Sequence, residues 1–226
     1  MSTKKFRYYD FVMAGFVCIM LCSNVIGAPK VFTFAGMSFG AGILFFPVSY
    51  LFGDILTEVY GYAMARRVVW AGFVAMIFAS LTSWLVLQLP PSPGWHDQAA
   101  FETVFGATWR IVLGSLTAFV FGEFCNSYVL AKLKIQSKGK YLWFRFVAST
   151  IVGEGVDTLI FYPMAFFALW PNELLTKVML SSYLFKVVWE IAVTPFTYLF
   201  VNWLKRVEQV DHFDYNTDFN PFRVKV

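Results

Sequence analysis

The chain has few charged residues for its length. Of its 226 residues, 14% are charged and 58% are hydrophobic, whereas a typical soluble domain is about 25% charged. The chain therefore lacks the polar side chains that would cover a water-facing surface. Its net charge of +4 does not indicate nucleic acid as a partner, because the basic residues lie at the ends of apolar segments.

Cysteine, histidine and known catalytic patterns are also scarce. Cys18, Cys22 and Cys125 all lie inside apolar stretches, and their odd number and the lack of any CxxC spacing argue against disulfides and a metal site. His96 and His212 fall in an outer loop and in the tail, where we expect them to be solvated. No Ser-His-Asp or HExxH pattern occurs, so we predict no catalytic residues, no metal and no cofactor.

What the sequence does contain is six long apolar stretches. A helix that crosses the hydrocarbon core needs about 20 mostly apolar residues, and the stretches that qualify are 11–27, 39–61, 68–89, 107–131, 146–170 and 179–204. Three of them contain a proline (Pro47, Pro163 and Pro195), which in a membrane marks a kinked or broken helix. Residues 31–37 are too few to span, and we expect an extended or interfacial connector there. We predict an all-α membrane protein with a single domain, 1–226.

The basic residues predict the orientation of these spans. Cytoplasmic loops carry an excess of lysine and arginine. One side of the predicted membrane holds 14 of the 18 basic residues, and the other side holds only Lys30, Arg110 and Lys177. Both termini are therefore predicted to be cytoplasmic, in a multi-pass protein of a bacterial inner membrane with lipid around it. The tail, 207–226, is too short to fold alone.

Seven charged residues lie inside the predicted spans. Six are acids and one is a base: Asp54, Glu58, Glu123, Glu154, Asp157, Glu190 and Lys186. Each would cost roughly 2.5–3.5 kcal/mol at the centre of a membrane helix. They must therefore face one another, water or a ligand.

The spacing of these residues favours convergence on one site. They form pairs three or four positions apart, which places each pair on one helix face. The pairs are Asp54 and Glu58, Glu123 and Asn126, Glu154 and Asp157, and Lys186 and Glu190. At about 1.5 Å per residue, the acids lie between the inner half and the midplane, where transporters place substrate sites.

A structural role is an alternative for two of the pairs. Lys186 and Glu190 could form a purely structural ion pair within one helix. Asp54 and Glu58 lie near the basic cytoplasmic boundary and could serve only to hold that end together.

Glu154 and Asp157 are the strongest candidates for contact with a ligand. Gly153 and Gly155 flank Glu154 and would let a ligand or a helix approach closely. No basic residue lies within two helical turns of this pair in the sequence, so we predict that it holds a substrate.

Several motifs together resemble one family. They are SNVIG at 23–27 with Lys30, GDILTEVYG at 53–61, Ala65-Arg66-Arg67, Gly122-Glu123 with Asn126 and Ser127, STIVGEGVDT at 149–158, and Lys186 with Glu190. This set resembles the queuosine-precursor transporters of the vitamin-uptake superfamily, over essentially the whole chain.

The resemblance implies a fold, a substrate and a set of contacts. The fold would be similar to the six-helix substrate-binding subunits (S-components) of energy-coupling-factor transporters. The cargo would be 7-cyano-7-deazaguanine, 7-aminomethyl-7-deazaguanine, or both. Carboxylates would accept the N–H groups of the guanine-like edge, Lys186, Asn24 or Asn126 would meet the purine oxygen, and aromatic rings would stack on its faces.

Three alternatives remain open from the sequence. The cargo could be another nucleobase or a vitamin. The chain could serve a separate ATPase module, although Ala14-x-x-x-Cys18 is a poor version of the small-residue seam that such subunits use for docking. An intramembrane enzyme could use paired carboxylates for acid and base chemistry, but no nucleophile accompanies them. Homo-oligomerisation is left open.

Overall fold

Helices make up most of the chain. The computed structural model describes residues 6–27, 30–34, 37–106 and 109–223. Within this part the helices are α1 (Tyr9–Leu21, continued by a π-helical segment, Cys22–Gly27), α2 (Phe46–Tyr60), α3 (Tyr62–Leu87), α4 (Gln98–Phe105), α5 (Trp109–Gln136), α6 (Leu142–Phe166) and α7 (Asn172–Glu208). All but α4 are long, which agrees with the six helices predicted from the apolar stretches.

A short antiparallel hairpin separates α1 from α2. Strand β1 (Val31–Phe34) pairs with β2 (Met37–Gly40), with Val31 opposite Gly40 and Phe34 opposite Met37. Residues 31–34 and 37 of the connector expected at 31–37 are extended, residues 35–36 lie outside the described residues, and the strand pairing departs from the predicted all-helical architecture. A single 3-10 turn, Ala41–Leu44, then leads into α2.

The observed helix bounds differ from the predicted spans at several ends. The span predicted at 39–61 becomes α-helical only at Phe46, since Pro47 lies in the first turn, a position that suits proline because its missing N–H is not needed there. Helix α6 ends at Phe166, one turn after Pro163. Helix α4 lies between the third and fourth predicted spans, just after His96 of the predicted outer loop. Residues 107–108 of the predicted fourth span lie outside the described residues.

Within the described residues, four helical stretches are long and apolar enough to cross a membrane by length and composition. They are α2 with its preceding turn (Ala41–Tyr60), α3, the stretch Gln98–Gln136 that contains α4 and α5, and α7, and the shorter apolar helix Tyr9–Val25 accompanies them. Helix α6 has 25 residues and is not among the four; it carries Arg145, Glu154 and Asp157.

The distribution of polar and apolar side chains is the reverse of that in a soluble protein. Large apolar side chains such as Phe78 on α3 and Leu184 and Phe196 on α7 are exposed, whereas Asp54, Glu123 and many other polar residues are buried. Charged groups inside membrane proteins normally face the bundle interior, and this arrangement fits a lipid environment.

The two ends of the described chain meet at one end of the bundle. Glu208, at the end of α7, accepts hydrogen bonds from the backbone N–H groups of Arg7 (3.0 Å) and Tyr8 (2.6 Å) and from the hydroxyl of Tyr60 (2.9 Å). These contacts satisfy N–H groups just before α1, which otherwise has no side-chain cap.

Residues 209–223, the tail, pack against the same end of the bundle. Asp214 accepts a hydrogen bond from the N–H of Tyr62 (3.1 Å to each oxygen), and the N–H of His212 donates to Val59 O (3.2 Å). Gly61 joins α2 to α3 with φ of +87°, and a β-carbon there would collide with the His212 ring. The tail was expected to be too short to fold alone, and it is ordered here by docking onto the helices.

Candidate substrate site

Four helices bring most of the predicted intramembrane charges into one buried group. Asp54 on α2, Glu123 on α5, Glu154 and Asp157 on α6, and Lys186 and Glu190 on α7 are each less than 8% exposed. We call these six side chains the carboxylate cluster. Their charges lie close enough to interact: Asp54 with Glu190 and Glu123, and Glu123 with Glu154 and Asp157.

Lys186 links α7 to α6 rather than pairing within its own helix. Its ammonium nitrogen donates to Glu154 Oε2 and to Asp157 Oδ2, both at 2.7 Å, and lies 4.6 Å from the centre of the Phe46 ring. The intrahelical ion pair of Lys186 with Glu190, one alternative from the sequence, is not the arrangement observed. Glu154 and Asp157 have a basic partner that their sequence neighbourhood did not reveal, because it lies about 30 residues further along the chain.

Close helix crossings position these side chains. A β-carbon on Gly153 of α6 would lie 2.6 Å from Asn126 Cβ and 3.0 Å from Gly122 O on α5. One on Gly122 would collide with the hydroxyl of Tyr50 from α2. Glycine at these two positions therefore lets α5 and α6 cross in contact, with Tyr50 beside the crossing.

The carboxylates of Asp54 and Glu123 differ in their hydrogen-bond partners. Asp54 Oδ1 accepts a hydrogen bond from Asn126 Nδ2 at 2.6 Å. Glu123 packs against Gly53, where a β-carbon would come within 2.6 Å of Glu123 Oε2. Neither carboxylate oxygen of Glu123 has a hydrogen-bond partner among the described residues.

Other buried polar atoms around the cluster also lack a hydrogen-bond partner within the described ranges. They are Tyr50 Oη, Asp54 Oδ2, Asn126 Oδ1, Thr150 Oγ1, Glu154 Oε1, Thr158 Oγ1, Trp189 Nε1 and Glu190 Oε1. Buried polar groups are normally hydrogen-bonded, so these atoms are candidates for polar contacts with a bound molecule. Tyr50 was not among the site residues predicted from the sequence, although it lies four residues before Asp54 and shares its helix face.

Glu58 lies one helical turn beyond Asp54 and has a different environment. Its carboxylate is bound by Lys205 (2.6 Å), Arg145 (2.9 Å) and Lys134 (3.5 Å). Lys134 and Lys205 also contact Asp211 in the tail, at 2.6 and 2.9 Å. Burial would raise the pKa of Asp211, but hydrogen bonds from both lysines hold that pKa below its usual range.

The Glu58 group therefore ties together α2, α5, α6, α7 and the tail. This is the role that the structural alternative assigned to the Asp54 and Glu58 pair, and it applies to Glu58. A substrate contact for Glu58 remains a prediction. Three cations, Lys134, Arg145 and Lys205, already bind its carboxylate.

Asn24 is separate from the carboxylate cluster. Its amide nitrogen donates to Met20 O (2.9 Å), and its oxygen accepts from the hydroxyl of Ser115 (2.9 Å). Ser115 lies eight residues before Glu123 on α5, which is about 12 Å along the helix. A contact between Asn24 and a substrate remains a prediction. The observed hydrogen bonds do not favour it, because they already engage both the nitrogen and the oxygen of the Asn24 amide.

The described part of the chain shows no metal site. No group of three or more His, Cys, Asp or Glu side chains there could hold a metal ion. A cavity of about 350 Å³ lies between the start of α6 and the end of α7, lined by Arg145, Asn202 and Lys205 among others. The side chains of the cluster do not line this cavity, and each of them is less than 8% exposed.

Comparison with known proteins places the chain in a family. The family model described as "Putative vitamin uptake transporter" matches residues 40–200. The chain is 32% identical over 189 residues to "Probable queuosine precursor transporter" of Bacillus subtilis (strain 168), a match that covers 83% of this chain and 81% of that protein. It is 28% identical over 151 residues to "Queuosine precursor transporter" of Escherichia coli (strain K12), covering 65% of each. No solved structure matches the chain.

These matches confirm the resemblance that the sequence motifs indicated. The family consists of transporters, so the chain is a transporter and not an enzyme. Its apolar helices agree with a multi-pass protein of the bacterial plasma membrane. The chain belongs to the queuosine precursor transporter family.

Proposed function

We propose that this protein imports queuosine precursors, namely the 7-cyano form of 7-deazaguanine, the 7-aminomethyl form, or both. The observation that carries the proposal is the carboxylate cluster, whose buried polar atoms lack partners in the described residues. The printed names of the similar proteins from Bacillus subtilis and Escherichia coli support the choice of cargo.

The chemistry of the cluster suits a guanine-like edge. Such an edge presents adjacent N–H donors, and one carboxylate can accept two of them in a charge-assisted geometry. Glu154 keeps one oxygen, Oε1, without a partner among the described residues. An ammonium has three donors, and Lys186 gives two of them to Glu154 and Asp157, so the third can meet the purine oxygen.

Aromatic side chains border the same region. The centres of the Phe46 and Tyr50 rings are 5.8 Å apart, and the Lys186 ammonium lies 4.6 Å from the centre of the Phe46 ring. In our proposal these rings stack on the planar base. Because every cluster member is buried, substrate would enter when helices separate toward the outer side and leave when the Glu58 end opens, as in alternating access.

The test uses cells that cannot make the precursors. We expect this protein to restore queuosine in tRNA at low external 7-cyano- or 7-aminomethyl-7-deazaguanine, measured by mass spectrometry of tRNA nucleosides. The empty vector and a Lys186→Met/Glu154→Gln variant, each with membrane levels checked, are the controls. Equal queuosine with protein and with empty vector would refute the proposal.

A thermal-shift series separates the alternative cargoes. Purified protein is heated with guanine, both precursors, free queuine and common vitamins. A ligand present at 100 times its Kd should stabilise the folded protein by about 2.7 kcal/mol. Stabilisation by a vitamin or by guanine, but by neither precursor, would favour another nucleobase or vitamin as cargo.

A further inference from the structure

The carboxylate cluster contains many more acids than its base can neutralise. Five carboxylates and one ammonium lie together, a formal charge of −4 when all are ionised. Lys186 is already bound to Glu154 and Asp157. The arginine and lysines nearest along the bundle, Arg145, Lys134 and Lys205, are bound to Glu58 instead.

Glu123 is the cluster acid with two carboxylate oxygens that are buried and lack a hydrogen-bond partner in the described part of the chain, whereas Asp54, Glu154 and Glu190 have one such oxygen each. It is fully buried, and both of its oxygens lack a hydrogen-bond partner within the described ranges. By contrast, Asp54 accepts from Asn126, and Glu154 and Asp157 accept from Lys186. A buried ionised carboxylate is costly unless it is paired, so Glu123 calls for a cation or a donor that the described side chains do not supply.

We propose that Glu123 makes the transporter selective for a cationic base, a planar deazaguanine that carries a protonated primary amine. This inference rests on the proposed function. The two precursors share the guanine-like edge and differ only in the substituent at position 7. The aminomethyl substituent is an ammonium that donates up to three hydrogen bonds, whereas the cyano substituent is neutral and can only accept.

The two substituents would meet Glu123 very differently. The ammonium forms a charge-assisted hydrogen bond with the carboxylate and reduces the negative charge of the cluster. The cyano nitrogen would place an acceptor against an acceptor and leave the charge unchanged. A site built for one hydrogen-bonding pattern typically rejects an analogue that cannot make it by a large factor.

The experiment measures Kd for both precursors by isothermal titration on the purified full chain. We expect the 7-aminomethyl form to bind at least ten times more tightly than the 7-cyano form. In Glu123→Gln the ratio of the two Kd values, cyano form over aminomethyl form, should fall below about threefold, mainly because the aminomethyl form binds more weakly. Glu173→Gln, the same substitution at an exposed glutamate near the start of α7, should keep the wild-type ratio.

The outcomes separate this inference from the proposed function. Equal binding of the two precursors, or tighter binding of the cyano form, overturns the inference and leaves the proposed function in place. Failure of both precursors to bind overturns the proposed function itself. The wild-type ratio decides the question even if Glu123→Gln does not fold.

Discussion

Lys186 is the residue on which the buried acids of α6 depend. It contributes the positive charge shared by Glu154 and Asp157, and all three side chains are almost completely buried. Breaking a buried ion pair by removing one partner is strongly destabilising, whereas replacing the whole group with neutral side chains of similar size is often tolerated. The contribution of this ion-paired group to stability can therefore be measured apart from its role in binding, by comparing removal of one partner with neutralisation of the whole group.

We expect Lys186→Met to destabilise the protein by about 3–5 kcal/mol, because two carboxylates lose their buried counter-charge. The triple variant Lys186→Met/Glu154→Gln/Asp157→Asn should recover most of that loss, since no unpaired charge remains. Thermal unfolding of both variants in detergent gives the comparison. Equal unfolding temperatures for the single and the triple variant would contradict this account.

Part of the residue-scale picture could be predicted from the sequence. Charges inside apolar stretches must face inward, and the i, i+3 and i, i+4 spacings placed Asp54, Glu154 and Lys186 on faces that do converge. The partner of each charge could not be predicted, since it depends on how α6 and α7 lie against each other. The same limit applies to Glu58, whose cations come from three other helices.

At the scale of elements, the crossing of α5 and α6 holds the site together. Gly122 and Gly153 face each other across this crossing, and the two helices carry Glu123, Glu154 and Asp157 of the cluster. The sequence has a glycine on each side of Glu154, but it does not indicate which of the two is required for close packing against a neighbouring helix. The structure separates them, because Gly153 lies against α5 and Gly155 has room around it.

We expect Gly153→Ala to lower the free energy of unfolding by about 1–3 kcal/mol, the usual range for overpacking a tight contact. Its β-carbon would lie 3.0 Å from a backbone oxygen, Gly122 O, which cannot rotate away. Gly155→Ala is the matched control: the nearest atom would be Tyr183 Cε2 at 3.8 Å, and alanine gains up to about 1 kcal/mol in helix propensity. The measurement is the thermal unfolding temperature of both variants. A similar decrease in that temperature for the two would show that the helix crossing is not tight.

Helix number and approximate position were predictable, whereas helix ends were less so. Long apolar runs located all six long helices because the hydrocarbon core demands them. The hairpin between α1 and α2 was anticipated only as an extended connector, since strand pairing depends on a partner. Helix α7, with 37 residues, would be about 55 Å long at 1.5 Å per residue. It therefore extends beyond a hydrocarbon core of about 30 Å, and hydropathy alone does not show where it ends.

At the scale of the whole molecule, one end of the bundle is closed by charge and by the tail. Glu58 and its three cations lie at this end, Asp211 joins them from the tail, and Glu208 binds the residues before α1. The loop between α5 and α6 belongs to the same end, because Gly139 lies against Phe213 of the tail. The residues just before α1, the tail and this loop therefore lie at one end of the bundle, which is consistent with the six crossings predicted from the sequence.

The orientation of the molecule in the membrane is the last prediction. The end that holds the tail also carries most of the lysines and arginines, and such residues favour the cytoplasm. Alkaline phosphatase, which is active only outside the cytoplasm, should therefore be active when fused after Gly94 and inactive when fused after Gly139 or at the C-terminus. A fluorescent protein fused at the same three points should give the opposite pattern, which controls for poor expression. High phosphatase activity at the C-terminus would reverse the assignment, and the Glu58 group would then close the outer side of the transporter instead of the inner one.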